Sequence, residues 1–134
     1  MSSTYQGSCL CGQIRFEVTG FHQPTAHCHC SMCRKFHGAP FAALTQVDNL
    51  TWLSGKHLLK DYVAPNGTTR TFCEHCGSSV GFRRKGDDLT QIELSLALFD
   101  SDIEVEVDAH IYTDYQSNWY LISDDLPQFK EGRE

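Results

Sequence analysis

Seven cysteines stand in three short groups: Cys9-Leu10-Cys11, Cys28-His29-Cys30-Ser31-Met32-Cys33 and Cys73-Glu74-His75-Cys76. Thiolates are soft donors, and two cysteines separated by two residues can close a turn that aims both sulfurs at one tetrahedral zinc. Gly77, directly after Cys76, tolerates the positive φ that such a turn often needs. Cys9 and Cys11, two apart on an extended segment, point to the same side and can bite one metal together. An odd number of cysteines leaves a thiol over in a full disulfide framework but is no obstacle to metal binding. The bland reading, buried cysteines acting as small apolar residues, does not account for three ligand-type spacings. No redox-cofactor signature accompanies them, so zinc is the expected metal, and an iron–sulfur cluster is the rival that four cysteines would serve equally well.

Seven donors divide into four and three, and the division matters. Closed four-ligand zinc is structural, whereas three protein ligands leave a position for chemistry. Cys28, Cys30 and Cys33 can furnish the open site from one local segment, leaving Cys9, Cys11, Cys73 and Cys76 to tie the start of the chain to its middle. The other division joins Cys30 and Cys33 to Cys73 and Cys76 as one ribbon, across 39 intervening residues where about 15–20 are usual. Three thiolates leave a zinc poor at acidifying water, so a bound thiol fits the open position better. The expected chemistry is then activation of a substrate thiol, which loses its proton on binding and becomes a nucleophile.

Seven thiolates against two Zn²⁺ ions would add three negative charges to a formal charge of −6. An anionic thiol substrate therefore needs local cations, for which Arg34 and Lys35 after Cys33 and Arg83-Arg84-Lys85 are the candidates. For Arg83 to Lys85 a solvated charged face is an equal reading. His27, His29 and His75 flank cysteines and could orient ligands or carry protons, although a histidine without a role is the default for any one of them. For His110, in a strand-like segment, the default is a hydrogen-bonded structural histidine. Phe36, Phe41, Phe99 and Trp119 either wall a pocket or fill the core.

The elements that must position these residues are short. Gln13 to Val18 alternates, setting Ile14, Phe16 and Val18 on one strand face. Phe41–Val47, Thr51–Leu53, His57–Val63, Thr68–Phe72, Ser79–Arg84, Gln91–Leu96, Glu104–Val107 and His110–Tyr112 read as further strands, with turn residues between them. The one helix expected spans Ser31 to His37, with Ser31 as its cap. The class is mainly β. With 134 residues, no linker, no repeat and no low-complexity tract, one domain over residues 1–134 is expected.

The charge balance, 11 Lys and Arg against 17 Asp and Glu, disfavours nucleic acid and anionic membranes as partners. No apolar run approaches the ~18 residues of a membrane span, and Met1 to Gly7 lacks the charged-then-apolar pattern of a secretory signal. A cytoplasmic protein is expected. The sequence carries no reading of oligomeric state.

The segments Gly7-Ser-Cys-Leu-Cys-Gly-Gln-Ile-Arg-Phe16, Cys28-His-Cys-Ser-Met-Cys-Arg34, Gly38-Ala-Pro-Phe41 and Phe72-Cys-Glu-His-Cys-Gly-Ser78 together resemble the glutathione-dependent formaldehyde-activating family. That family also takes in centromere protein V. His110-Ile111, Trp119 and Asp125-Leu-Pro127 resemble its closing segment. The resemblance implies a tent-like β fold of short antiparallel strands around two zincs. Cys9, Cys11, Cys73 and Cys76 would hold the structural ion, and Cys28, Cys30 and Cys33 the catalytic one. It implies further a carbon–sulfur lyase of the S-(hydroxymethyl)glutathione synthase kind, with glutathione and formaldehyde as substrates. The alternative implied by its chromatin- and cytoskeleton-associated member is a non-catalytic, zinc-stabilised interaction module. The chain is more compact than the namesake enzymes.

Overall fold

The computed structural model describes residues 3–22 and 24–133. Met1 and Ser2, part of the polar N-terminal stretch read above, lie outside the described residues, as do Gln23 and Glu134. In chain order the strands are β1 (Tyr5–Ser8), β2 (Arg15–Val18), β3 (Gly20–Phe21), β4 (Thr25–Cys28), β5 (Ala42–Asp48), β6 (Thr51–Ser54), β7 (Leu59–Val63), β8 (Thr69–Cys73), β9 (Ser79–Arg83), β10 (Glu93–Ser95) and β11 (Val107–Ile111). The helix α1 (Ser31–His37) and four single-turn 3-10 helices complete the elements of the described residues, so the protein is mainly β. Among these residues no helix is long and apolar enough to cross a membrane.

The chain forms two compact units, Met1–Gln23 with Leu44–Glu104, and Pro24–Ala43 with Val105–Glu134. In the first, β1, β2 and β6 make a three-stranded antiparallel sheet. A second antiparallel set runs β3, β5, β10, β9, β8, β7, using residues 44–48 of β5. Alternation in β2 explains the core: Arg15 is exposed while Phe16 and Val18 are buried, and they pack with Val80, Ile92 and Leu94. Trp52 and Phe99 meet the Phe16 ring edge-on at 5.6 and 5.4 Å, a favoured aromatic geometry. Gly7 lies opposite Phe16 in register, where a Cβ would strike the Phe16 ring and the Leu98 carbonyl. A small cluster of Cys9, Ile14 and Cys73 is buried beside Trp52, Leu58 and Leu59.

In the second unit, β4 pairs antiparallel with Ala42 and Ala43 and parallel with β11, His27 opposite His110 and Cys28 opposite Ile111. The closing segment brackets β11. The His110 N–H donates to the Pro127 carbonyl and the Phe129 N–H to the His110 carbonyl, both at 2.8 Å.

Several expected boundaries shift. Lys56–Leu58 is a 3-10 turn, so β7 begins only at Leu59. The run Gln91–Leu96 keeps three strand residues between two 3-10 turns, the first of them closed by an Asp88–Gln91 capping box. Of Glu104–Val107 only Val107 is strand, and Tyr112, expected in a strand, has φ 56 and follows it. Helix α1 has the expected bounds, but its cap is Cys30, whose Sγ accepts from the Cys33 N–H, rather than Ser31.

Leu94 is fully buried in the larger cluster, so Leu94→Ala should cost about 2–5 kcal/mol through lost burial and the cavity left behind. Urea denaturation measures it. A loss within error of zero would show that the β10 face is not the core.

Candidate metal centre

The cysteine sulfurs fall into two groups, Cys9 with Cys11, Cys73 and Cys76, and Cys28 with Cys30 and Cys33, each with its sulfurs within 4.8 Å of one another. The first group is built by the turn after β1, which carries Cys9 and Cys11 where an extended segment is expected from the sequence, and by β8, which ends in Cys73. Two tight turns finish it: the Gly12 N–H donates to the Cys9 carbonyl at 2.9 Å and the Gly77 N–H to the Cys73 carbonyl at 2.7 Å. Both glycines have positive φ, 78° and 81°, which side chains disfavour. Cys73 is buried and Cys76 half-buried.

A tetrahedral centre with sulfurs at about 2.3 Å would space them about 3.8 Å apart. The separations of 3.4 Å for Cys9 and Cys11 and 4.0 Å for Cys11 and Cys73 lie on either side of that distance. The donor set fits a thiophilic cation. Its sulfurs also receive hydrogen bonds, the Ile14 N–H donating to Cys9 at 3.3 Å while Cys76 sits 3.2 Å from the Ser78 hydroxyl. Burial pushes the Cys73 thiol up against the opposing pull of the Cys76 and His75 backbone donors, so a nearby positive charge is what would make it a thiolate.

The second group lies on the last residue of β4 and the start of α1. Cys30 caps α1, its sulfur 3.2 Å from the Cys33 N–H, so the cap and the metal-binding geometry use one atom. Hydrogen bonding to Cys30 and Cys33, followed by burial, pushes the Cys28 thiol well up. A cation bound among the three sulfurs would displace the Cys28 proton. Arg34 follows Cys33 on the helix with its Nε buried and without a hydrogen-bond partner among the described residues, whereas Lys35 is exposed.

The other candidates scatter. Arg83 is bound to Asp61 at 2.5 Å, and Arg84, largely exposed, lies 3.7 Å from Glu93. His75 is exposed on the turn between Cys73 and Cys76. Phe99 is core in the first unit, packed on Phe16 and Phe21, and Trp119 is 67% exposed. Phe41 instead packs among His27, His29 and Tyr120.

One constellation joins two of the histidines singled out in the sequence, His29 and His110, to a carboxylate that was not. His29 Nε2 is 2.8 Å from His110 Nδ1, and His110 Nε2 is 3.1 and 3.0 Å from the two oxygens of Asp124. His29 and His110 are both 1% exposed. The bond from His110 holds the Asp124 carboxyl below its usual range. Burial, with His110, His27 and Arg34 adding to it, lowers His29 to about 4, so its ring is neutral near pH 7. Asp124 lies 95 residues from His29 in sequence, and the parallel pairing of β4 and β11, with the closing segment held on β11, unites them.

The sequence model of the family described as "Glutathione-dependent formaldehyde-activating enzyme" matches residues 4–115, which include both cysteine groups. A curated protein of Halomonas elongata, provisionally named a glutathione-dependent formaldehyde-activating enzyme, is 34% identical over 83 residues. That match covers 56% of this chain and 53% of the relative, so the chain spans about half the length of the curated relative it matches. A solved structure of a Rhodobacter sphaeroides protein superposes with a TM-score of 0.57 at 24% identity, covering 74% of this chain and 91% of the other, and shares its fold.

Cys73→Ser should weaken folding far more than Cys33→Ser, because Cys73 is buried in an apolar cluster and metal-coupled folding at a closed site is worth on the order of 10 kcal/mol. Thermal unfolding of the two variants makes the comparison. Equal damage would contradict the division into a closed group of four and an open group of three.

Proposed function

The chain belongs to the glutathione-dependent formaldehyde-activating enzyme family, and from that premise we propose that it is a zinc-dependent carbon–sulfur lyase acting on thiol–aldehyde adducts, as an S-(hydroxymethyl)glutathione synthase does. The observation that carries the reading is the second sulfur group, in which Cys28, Cys30 and Cys33 converge with no fourth ligand-type side chain among the described residues. A structural ion needs a fourth donor, and three leave room for a substrate.

In this reading zinc occupies both groups, two ions per chain. The ion at Cys28, Cys30 and Cys33 would supply an open position where an incoming thiol is favoured as its thiolate. The chain's own part is to hold three deprotonated sulfurs close together on a rigid segment, with Cys30 fixed by the helix cap. Arg34, with its buried free Nε, and Lys35 on the next residue receive the carboxylates of an anionic thiol such as glutathione. In the addition, the thiol sulfur bonds to the aldehyde carbon, the carbonyl π bond breaks and the proton given up by sulfur ends on oxygen. The reverse step releases thiol and aldehyde. Formaldehyde is the aldehyde that the family description names. A reducing cytoplasm would keep seven thiols available.

The second reading is a zinc-stabilised interaction module without catalysis. Trp119 and Leu121, 67% and 81% exposed, favour it, since exposed large apolar side chains are candidate contact points.

Cobalt-substituted protein tests the proposal. Two metals per chain are expected after reconstitution. Glutathione should change the cobalt–thiolate spectrum in the wild type, and Cys33→Ser should abolish the change. A broad panel of thiols leaving the spectrum untouched would favour the interaction module.

A further inference from the structure

We propose that Asp124 and His110 are positioning residues for the three-cysteine group, acting through His29: the carboxylate–imidazole–imidazole chain locks the His29 ring and so sets the directions in which Cys28 and Cys30 leave the backbone. The inference rests on reading Cys28, Cys30 and Cys33 as a metal site.

Successive residues of an extended segment point to opposite faces. His27 and His29 share one face, because each ring centroid lies 5.0 Å from that of His110. Cys28 and Cys30 therefore leave from the other. Any rotation of the segment about its own axis would move both sets together, so fixing the histidines fixes the sulfurs.

His29 is held at three points. Its N–H donates to the Ile111 carbonyl at 3.0 Å, its Nε2 meets His110, and its ring packs against Phe41 at 5.3 Å. His110 is held in turn by backbone bonds to Pro127 and Phe129 and by the bifurcated contact with Asp124. A carboxylate has no proton to give, so His110 Nε2–H is the donor there. The 2.8 Å contact between His29 Nε2 and His110 Nδ1 takes one donor and one acceptor, so the order of partners fixes the orientation of both rings, as hydrogen-bonded partners near metal ligands commonly do. A histidine that merely filled the core would need no such ordered sequence of partners, and its own contacts would end at the first bond.

Metal release measures the role without any thiol or aldehyde. Cobalt-loaded protein is mixed with a chromophoric chelator, and loss from the three-sulfur group is followed apart from that of the four-sulfur group by repeating the measurement in a Cys33→Ser background. Asp124→Ala should speed release from the three-sulfur group by about tenfold or more and shift its cobalt bands, leaving the four-sulfur phase unchanged. Asp124→Asn, whose carbonyl can still accept from His110 and from the Leu126 N–H that Asp124 now binds at 3.0 Å, should restore release close to the wild-type rate. Should the alanine variant not fold, Asp124→Ser carries the comparison, since its hydroxyl can cap Leu126 but ends short of His110. Wild-type release and bands in a folded Asp124→Ala or Asp124→Ser protein, whatever the change in thermal midpoint, would overturn the positioning role and leave the functional reading standing. A wild-type protein that takes up no cobalt at Cys28, Cys30 and Cys33 would overturn the functional reading itself, and this inference with it.

Discussion

Sulfurs brought as close as 3.4 Å cannot all be thiolates unless a cation lies among them. That constraint orders the first unit. Cys9 and Cys11 follow β1, Cys73 ends β8 and Cys76 sits on the turn beyond, so segments far apart in sequence must meet at one point. The tight turns at Gly12 and Gly77, the Ile14 N–H on Cys9 and the apolar cover of Trp52, Leu58 and Leu59 all serve that meeting. A metal would join the start of the chain to its middle at a place where the hydrophobic cluster alone has only Cys9, Ile14 and Cys73 fully buried. Small cores of this kind need such a cross-link more than large ones do.

Much of this was legible because it is local. The strand alternation around Phe16, the bounds of α1 and the glycine after Cys76 each follow from a few adjacent residues. What was not legible depends on chain that is distant or unpatterned. Strand β4 reads Thr-Ala-His-Cys, with no apolar alternation to mark it, and it is a strand because β5 and β11 flank it. Its partner β11 is parallel, a pairing that no turn signal announces. The histidine chain depends on that pairing, so no spacing rule could have found Asp124. Propensity places the cap of α1 at Ser31, but the structure gives it to Cys30, whose thiol occupies the same acceptor role.

The basic residues separate on one physical difference. Arg83 and Arg84 have carboxylates at hand in Asp61 and Glu93, so recruiting them to a ligand would first break an existing pair. Arg34 and Arg83 each have a buried Nε with no protein partner among the described residues, and a buried donor left unmade costs roughly 1–3 kcal/mol. What sets Arg34 apart is that its guanidinium holds no carboxylate among the described ion pairs, so a ligand acceptor there would break no existing pair. Position next to Cys33 and a guanidinium without a carboxylate point the same way.

The segment from His27 to Cys30, running from the end of β4 into the cap of α1, has two faces because its backbone is extended. On one side it presents imidazoles to a buried, ordered chain that ends at Asp124, a residue with 44% of its side chain exposed. On the other it presents sulfurs, only half-buried, which is where an incoming thiol would need access. In the proposed reading the period of two residues separates the tasks: the histidine face would hold the backbone still, and the cysteine face would stay free of packing duties that would close it to substrate.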